Sequence, residues 1–340
     1  MKVRQAVVMV GGMGTRLRPL TENRPKPMLS VADKPCIWYL LRSLARAGVE
    51  EVILACGYKP GMMEALGDGS DLGIRIIYSY EDEPLGTAGS IKNVEEKLDK
   101  TFIAAYGDIF ADIDIGEQVR THMENDALVT IALTPVKDPT QFGITRVDDS
   151  GRITEFKEKP KPEEVFSNLI NAGIYVMERS IMEDVPKDTF WDFSKNVFPG
   201  IMEKGGRIQA YELKGMWMDV GRPHDLLEAN LAVASREYGL KVFGSAVECC
   251  IKGDFYVGDD ASIGNSVARS CVVSKGSHVV DSKLERVLVL RDCHVEGATI
   301  KDSILGDGCI VKKGAVITNA VLADGTMVEE GEVIEGDRIV

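Results

Sequence analysis

Residues 10–28, VGGMGTRLRPLTENRPKPM, concentrate groups that can hold a polyanion. Gly11, Gly12 and Gly14 permit sharp backbone turns and close approach to a ligand, with successive N–H groups free to meet phosphate oxygens. Thr15 adds a hydroxyl, and Arg16 and Arg18 add cations. Pro25 and Pro27 stiffen the chain around Lys26, so that its ammonium returns to one place. The chemistry indicated is the binding of a polyphosphate. Spacing excludes two other phosphate loops. A Walker loop has a longer spacer between its glycines and ends in Gly-Lys-Ser/Thr. The Gly-x-Gly-x-x-Gly fingerprint fails at Leu17, and no acidic residue closes a second strand at the required distance.

Such a loop needs a scaffold. Up to about Arg236, short apolar runs (AVVMV, EVILA, IRIIYS, TFIAAYGD, ALVTIAL) alternate with amphipathic segments of helical length, among them KPCIWYLLRSLARAG, GTAGSIKNVEEKL and RPHDLLEANLAVASREYG. This succession predicts a Rossmann-like α/β domain over residues 1–236, with a mostly parallel sheet and ligands at the carboxyl ends of its strands. The glycine-rich loop follows the first strand, at such an end.

From about Phe255 a stricter rhythm takes over. Val257, Val273, Val289, Leu305 and Val321 are 16 residues apart, as are Ile263, Val279, Val295, Val311 and Met327. Ala268, Leu284, Ile300 and Val316 form a third ladder with the same step, and Asp260, Gly276, Asp292, Gly308 and Asp324 mark a recurrent corner. Three interleaved apolar ladders describe a three-sided coil, which resembles the hexapeptide-repeat, left-handed parallel β-helix. The expected all-β domain spans 253–340, with 237–252 as a connector. The same register stacks His278 on His294 and Cys293 on Cys309, and a solenoid ladder explains both pairs without a metal.

The totals narrow the function classes. Among 340 residues, 40 Lys plus Arg face 53 Asp plus Glu, a net charge of −13 that disfavours nucleic acid as a partner. A small anion needs only a few converging cations and is compatible with that total. No apolar run reaches the length of a membrane span, and the N-terminal apolar stretch is too short for a signal peptide. The seven cysteines show no CxxC spacing, which suits a reducing, cytoplasmic setting.

Seven stretches in one order then carry a resemblance over essentially the whole chain. They are the loop above, EPLGTAGS at 83–90, YGD at 106–108, FGI at 142–144, FKEKP at 156–160, NAGIYV at 171–176 and WMDVG at 217–221. Together they resemble the sugar-1-phosphate nucleotidylyltransferases, which join a nucleoside triphosphate to a sugar 1-phosphate and release pyrophosphate. VGG, EPLGTAG and WMDVGRPHDLL are most similar to the GDP-mannose pyrophosphorylases.

The resemblance implies roles. Val10, Gly11, Gly12, Gly14, Thr15, Arg16, Gly86 and Thr87 would bind the nucleotide. Arg16 would meet the leaving pyrophosphate and Lys26 the α-phosphate, with Asp108 and Asp219 holding Mg²⁺. Gly143, Glu158, Lys159, Asn171 and Gly173 would line the sugar-phosphate site, where a carboxylate suits vicinal hydroxyls and an ammonium suits the phosphate.

Base choice is read at Glu81, where uridylyl and thymidylyl members commonly carry glutamine. Guanine offers two adjacent donors to a carboxylate, whereas uracil and thymine turn carbonyls toward it, so Glu81 favours GTP, with Glu83 a neighbouring competitor. The reading is GTP plus mannose 1-phosphate to GDP-mannose. Glucose-1-phosphate uridylyl or thymidylyl transfer, a catalytically silent regulatory paralogue and an acyltransferase tail using His278 or His294 stand as alternatives. An open-ended β-helix also predicts a homo-oligomer.

Overall fold

The computed structural model describes residues 2–12, 14–57, 60–235 and 242–336. Two compact units emerge, one of residues 1–12 and 37–217, the other of residues 13–36 and 218–340. The division therefore differs from a single cut at 236: residues 13–36, which carry most of the glycine-rich loop, group with the C-terminal segment.

The main sheet of the first unit has nine strands: β1 (Gln5–Met9), β2 (Glu51–Cys56), β3 (Arg75–Tyr80), β4 (Thr101–Tyr106), β5 (Val129–Pro135), β6 (Gly143–Val147), β7 (Ile153–Glu158), β8 (Leu169–Glu178) and β9 (Ile208–Glu212). Their order is β7-β6-β8-β4-β1-β2-β3, with β5 paired to β8 and β9. The expected parallel character holds along β4-β1-β2-β3 and for β5 with β9. Beyond β4 the sheet turns antiparallel, because β8 runs against β4, β5 and β6 and β6–β7 is a hairpin. Central strands read as unbroken apolar runs because both faces are covered: all five β1 residues are buried. Phe102, Ile131, Tyr175, Phe193 and Phe198 share one core on that sheet. Helix α1 (Cys36–Arg46) is amphipathic, whereas the longer helix expected from Gly86 stops early, as α2 (Gly86–Lys92), followed by a 3₁₀ turn at Glu95–Lys97. Helix α3 (Ile115–Glu124) starts where Asp114 caps the Gly116 N–H at 2.9 Å.

In the second unit, parallel strands stack into the expected β-helix. Short strands such as Ser262–Gly264, His278–Val280 and His294–Glu296 form one side. Longer ones, Val267–Val273, Lys283–Val289 and Thr299–Leu305, bend at Ser270, Arg286 and Asp302, whose φ values of 51°, 53° and 44° are left-handed. The column is Val, Ile, Leu, Ala and Cys, with Cys271, Cys293 and Cys309 fully buried. Coiling begins before 253, since Ser245–Val247 pairs with Ser262–Gly264 and Cys250 with Val267. Of the expected connector, residues 237–241 lie outside the described residues.

One part of the predicted ladder is corrected. From Phe255 to Val311 the step is 16, but Ile300 pairs with Ile317, Leu305 with Leu322 and Val311 with Val328. VEGAT at 295–299 becomes VKKGAV at 311–316, so one extra residue enters the turn after Val311. Ile317, Leu322 and Val328 therefore fill the core in place of Val316, Val321 and Met327, and Met327 is 51% exposed. Helix α4 (Pro223–Ala234) begins with the Arg222 N–H on the Asp225 carboxylate at 2.8 Å and packs on the first coils.

Candidate functional site

In the first unit, the carboxyl ends of four parallel strands supply the expected nucleotide elements. Val10 donates its N–H to the Ala55 carbonyl at 2.9 Å, and Gly107 donates to Met9 at 2.8 Å. A Cβ on Gly107 would fall 2.4 Å from Val10 Cγ1, and one on Gly57 3.2 Å from the Gly11 Cα. Glycine at these turns thus lets the segments after β1, β2 and β4 close on one another, leaving Gly11 and Gly12 exposed and Asp108 half-buried. Glu81 leaves the end of β3, bonded through its N–H to Cys56 at 3.1 Å. Its carboxylate accepts the Leu85 N–H at 3.3 Å. Burial pushes the Glu81 carboxyl above the usual glutamate range, with the Leu85 N–H pulling the other way. Glu83, the competitor, is exposed.

Gly86 and Thr87 are engaged within the protein. Gly86 has φ 74°, and a Cβ there would lie 2.7 Å from the Trp191 carbonyl. The Thr87 hydroxyl donates to Asp192 Oδ2 at 3.1 Å and accepts the Phe193 N–H at 3.0 Å. These contacts seat the amino end of α2 on the turn 191–197, which Asp192 also caps through the Ser194 and Lys195 N–H groups.

The expected sugar elements surround the β6–β7 hairpin and β8. Glu158 lies opposite Gly143, where a Cβ would come within 2.8 Å of Glu158 Oε2 and 2.6 Å of the Phe156 ring. Glycine there makes room for the carboxylate. Burial raises the Glu158 carboxyl; Lys159 lowers it and Asp192 raises it further. Lys159 is exposed, held in a left-handed turn (φ 44°) by its N–H to Phe142 at 2.9 Å. Asn171 spends its amide on β8 itself: Nδ2 donates to the Tyr175 hydroxyl at 2.8 Å and Oδ1 accepts the Gly173 N–H at 2.9 Å. Gly173, at φ 74°, leaves space for Tyr106, whose ring carbon would stand 2.3 Å from a Cβ.

In the second unit Lys26 pairs with the Asp219 carboxylate, and Arg16 lies near the Gly221 turn that follows it. Gly14, at φ 60°, opens a 3₁₀ turn over Thr15–Leu17, and its carbonyl accepts the Thr21 hydroxyl at 2.8 Å. A Cβ at Gly14 would meet Lys26 Cβ at 3.0 Å, so the loop folds tightly over the lysine stem. Lys26 is 6% exposed, and its Nζ donates to Asp219 Oδ1 at 3.1 Å. Beside them, a Cβ on Gly221 would lie 3.2 Å from Asp219 Oδ2 and 3.4 Å from Arg16 Nη2. Arg16 and Thr15 are exposed. The Lys26 ammonium and the Arg16 guanidinium are cations of the kind that pair with phosphate, and the Asp219 and Asp225 carboxylates lie beside them.

Sequence reasoning overlooked five supporting residues. Tyr106 and Tyr175 pack edge to face at 5.9 Å, and Trp217 does so on Phe142 at 6.1 Å while donating its indole N–H to the Ala172 carbonyl at 2.9 Å. Tyr106, Phe142, Tyr175 and Trp217 sit inside the quoted motifs, so their aromatic character was the available signal. Asp192 stands outside them, betrayed only by its place before FSKN as a cap. His278 and His294 stack at 5.3 Å on the exposed face, and no group of three metal-ligating side chains occurs among the described residues.

Comparison with known proteins adds an independent finding. The nucleotidyl transferase family model matches residues 5–236, and a GlmU-like C-terminal hexapeptide model matches 254–339. A mannose-1-phosphate guanylyltransferase of Mycobacterium tuberculosis (strain ATCC 25618 / H37Rv) is 36% identical over 317 residues, covering 91% of this chain and 83% of that protein. A mannose-1-phosphate guanylyltransferase catalytic subunit beta of Drosophila pseudoobscura pseudoobscura is 38% identical over 229 residues, 66% of this chain and 60% of that one. Among solved structures, HddC from Yersinia pseudotuberculosis complexed with GMP-PN is 27% identical with a TM-score of 0.58, spanning 67% of this chain and 98% of its own. A Bacillus anthracis structure, 23% identical with a TM-score of 0.62 over 68% of this chain and 95% of its own, shares the fold.

Proposed function

The chain belongs to the nucleotidyl transferase family, and we propose that it transfers the guanylyl group of GTP to mannose 1-phosphate, giving GDP-mannose and pyrophosphate. The observation that carries the chemistry is the Lys26–Asp219 contact at 3.1 Å beneath the Gly14 turn, with Arg16 alongside. The substrate pair is supported by the relatives named as mannose-1-phosphate guanylyltransferases and by the carboxylate at Glu81.

In this reading a phosphate oxygen of the sugar 1-phosphate attacks the α-phosphorus, forming one P–O bond as the bond to pyrophosphate breaks. Catalysis is then chiefly orientation and charge stabilisation. Lys26 meets the α-phosphate and the negative charge that grows there, and Arg16 meets the departing pyrophosphate. Gly11, Gly12, Gly14 and Thr15 receive the triphosphate, and Glu81 and the turn at Gly86–Thr87 face the base. Glu158 accepts from sugar hydroxyls, Lys159 pairs with the sugar phosphate, and Gly143, Asn171 and Gly173 shape the pocket around them.

The donor set fits Mg²⁺. Its two carboxylates suit an ion that is characteristically held by one or two carboxylates, with substrate phosphates and water completing its shell. Asp108 and Asp219 would hold it, and when bound it would neutralise phosphate charge. A homo-oligomer in the cytoplasm completes the reading.

The test is pyrophosphate release with GTP, UTP, dTTP, ATP and CTP, each offered with mannose 1-phosphate and with glucose 1-phosphate. Preference for GTP with mannose 1-phosphate is expected. Preference for UTP or dTTP with glucose 1-phosphate would keep the reaction and discard the base reading; silence throughout would discard both.

A further inference from the structure

The β-helix grips the loop that carries Lys26. Arg24 donates from Nη1 to Asp307 Oδ2 at 2.7 Å and from Nη2 to Asp324 Oδ2 at 2.5 Å, with all three side chains largely buried. Each carboxylate is itself fixed through its other oxygen: Asp307 Oδ1 accepts the Arg291 N–H and Asp324 Oδ1 accepts the Asp307 N–H, both at 3.0 Å. Arg24 thus enters a clamp whose oxygens the coil backbone has already oriented, the arrangement in which charge-assisted pairs are strongest.

A second anchor lies farther along the loop. Asp33 accepts the Lys275 N–H at 3.0 and 3.1 Å and the Tyr256 hydroxyl at 3.0 Å, while Arg291 Nη2 donates to the Asp33 carbonyl at 2.8 Å. Lys275, Arg291, Asp307 and Asp324 occupy the same corner of successive coils, as the bonds from Asp292 N to Lys275 O, Gly308 N to Arg291 O and Gly325 N to Asp307 O record. The extra residue after Val311 matters at this point. With an unbroken 16-residue step, Ala323 would follow Asp307; the longer step brings Asp324 under it and completes the pair of carboxylates.

Only Pro25 separates Arg24 from Lys26, and its ring fixes φ near −71° before the 3₁₀ turn Lys26–Met28. A displacement of Arg24 therefore passes to Lys26 with little slack. We infer that Arg24, held between Asp307 and Asp324, is a positioning residue for Lys26, and that the β-helix is in this way part of the machinery that sets the geometry of nucleotidyl transfer. The inference rests on the role proposed above for Lys26.

The test compares R24A, R24K, the near-isosteric pair D307N/D324N and the triple variant R24A/D307N/D324N in the full chain. Two readouts are taken: kcat and KM for pyrophosphate release, and amide hydrogen exchange over residues 14–28. R24A and D307N/D324N should each lower kcat about tenfold or more, since a small misplacement of a catalytic group is that costly, with KM for the sugar phosphate nearly unchanged. R24K should recover part of the loss, because an ammonium pairs with the carboxylates but lacks the planar fork that bridges both. The triple variant should be no worse than R24A, as expected of residues acting through one contact. Exchange over 14–28 should quicken at least about tenfold while the strands at 267–289 keep their protection.

Normal protection of 14–28 in the variants would overturn the inference. So would multiplicative losses in the triple variant, which would put Arg24 on the substrate itself. Exchange needs no turnover, so a wild-type protein silent with every substrate would sink the proposed reaction while exchange alone still decided for or against the clamp.

Discussion

Alanine at Gly14 tests whether the loop conformation is what places Lys26. The residue has φ 60° and ψ 30°, a left-handed conformation that costs a residue with a Cβ about 1–2 kcal/mol. The new Cβ would also lie 3.0 Å from Lys26 Cβ and 3.3 Å from Thr21 Cγ2. Both are short stems close to the backbone, so neither swings aside as the far end of a long side chain would. The loop must move by a few tenths of an ångström, and a destabilisation of about 1–3 kcal/mol follows from strain and crowding together. Lys26 is the neighbour that must give way, so kcat should fall about tenfold to a hundredfold. Gly12→Ala is the control, because a Cβ there meets nothing within 4 Å and no left-handed φ is required. It should melt like the wild type, while affecting KM for the nucleotide if a phosphate approaches that backbone. Melting followed by circular dichroism, with pyrophosphate release as the activity assay, reads both effects. Equal melting of G14A and G12A, or unimpaired turnover in G14A, would refute the reasoning.

Two further predictions bear on the charged groups. Asp219→Asn should cut turnover at least about a hundredfold and lower stability by about 1–3 kcal/mol, since a nearly buried ammonium loses one carboxylate partner; Lys26→Met/Asp219→Asn should regain much of the stability in denaturant titrations but none of the turnover. Glu81 carries a pH dependence with a definite sign: burial raises its carboxyl, so as pH falls protonation sets in above the ordinary glutamate range, one acceptor is lost, and the ratio of kcat/KM for GTP to that for UTP should decline. Glu81→Gln should lower the same ratio and flatten its pH profile, and an unchanged profile would remove Glu81 from base selection.

The central strands were legible because burial on both faces leaves continuous apolar runs; β1, β2 and β4 lie within a residue or two of where the sequence put them. The antiparallel half was less so. GITRV and ITEFKE are short, partly exposed strands joined by a DDSG turn, and nothing in their apolar pattern distinguishes a hairpin from a crossover. In the solenoid the ladders were readable through Val311, but counting by 16 carried the frame past an inserted residue. Val316, Val321 and Met327 lie next to Ile317, Leu322 and Val328, and either set looks equally apolar. Only pairing geometry separates them.

A motif records residue types, and several physical demands choose the same type. Gly14 and Gly173 are both glycines of a signature, but one opens a turn beside the lysine stem and the other clears a tyrosine ring. Thr87 and Asn171 are polar as ligand-facing residues would be, yet their side chains hold α2 against Asp192 and brace the irregular stretch of β8. Asp324 reads as a corner residue of a coil and Asp307 stands next to the corner residue Gly308, where aspartate needs only local turn chemistry, and both also hold the cation immediately before the Pro-Lys-Pro turn. Types and spacing therefore locate the chemistry to within a loop. What divides a group that meets the substrate from a group that holds the first one still is where its remaining hydrogen bonds go, and that is settled by contacts between residues as far apart in sequence as Arg24 and Asp324.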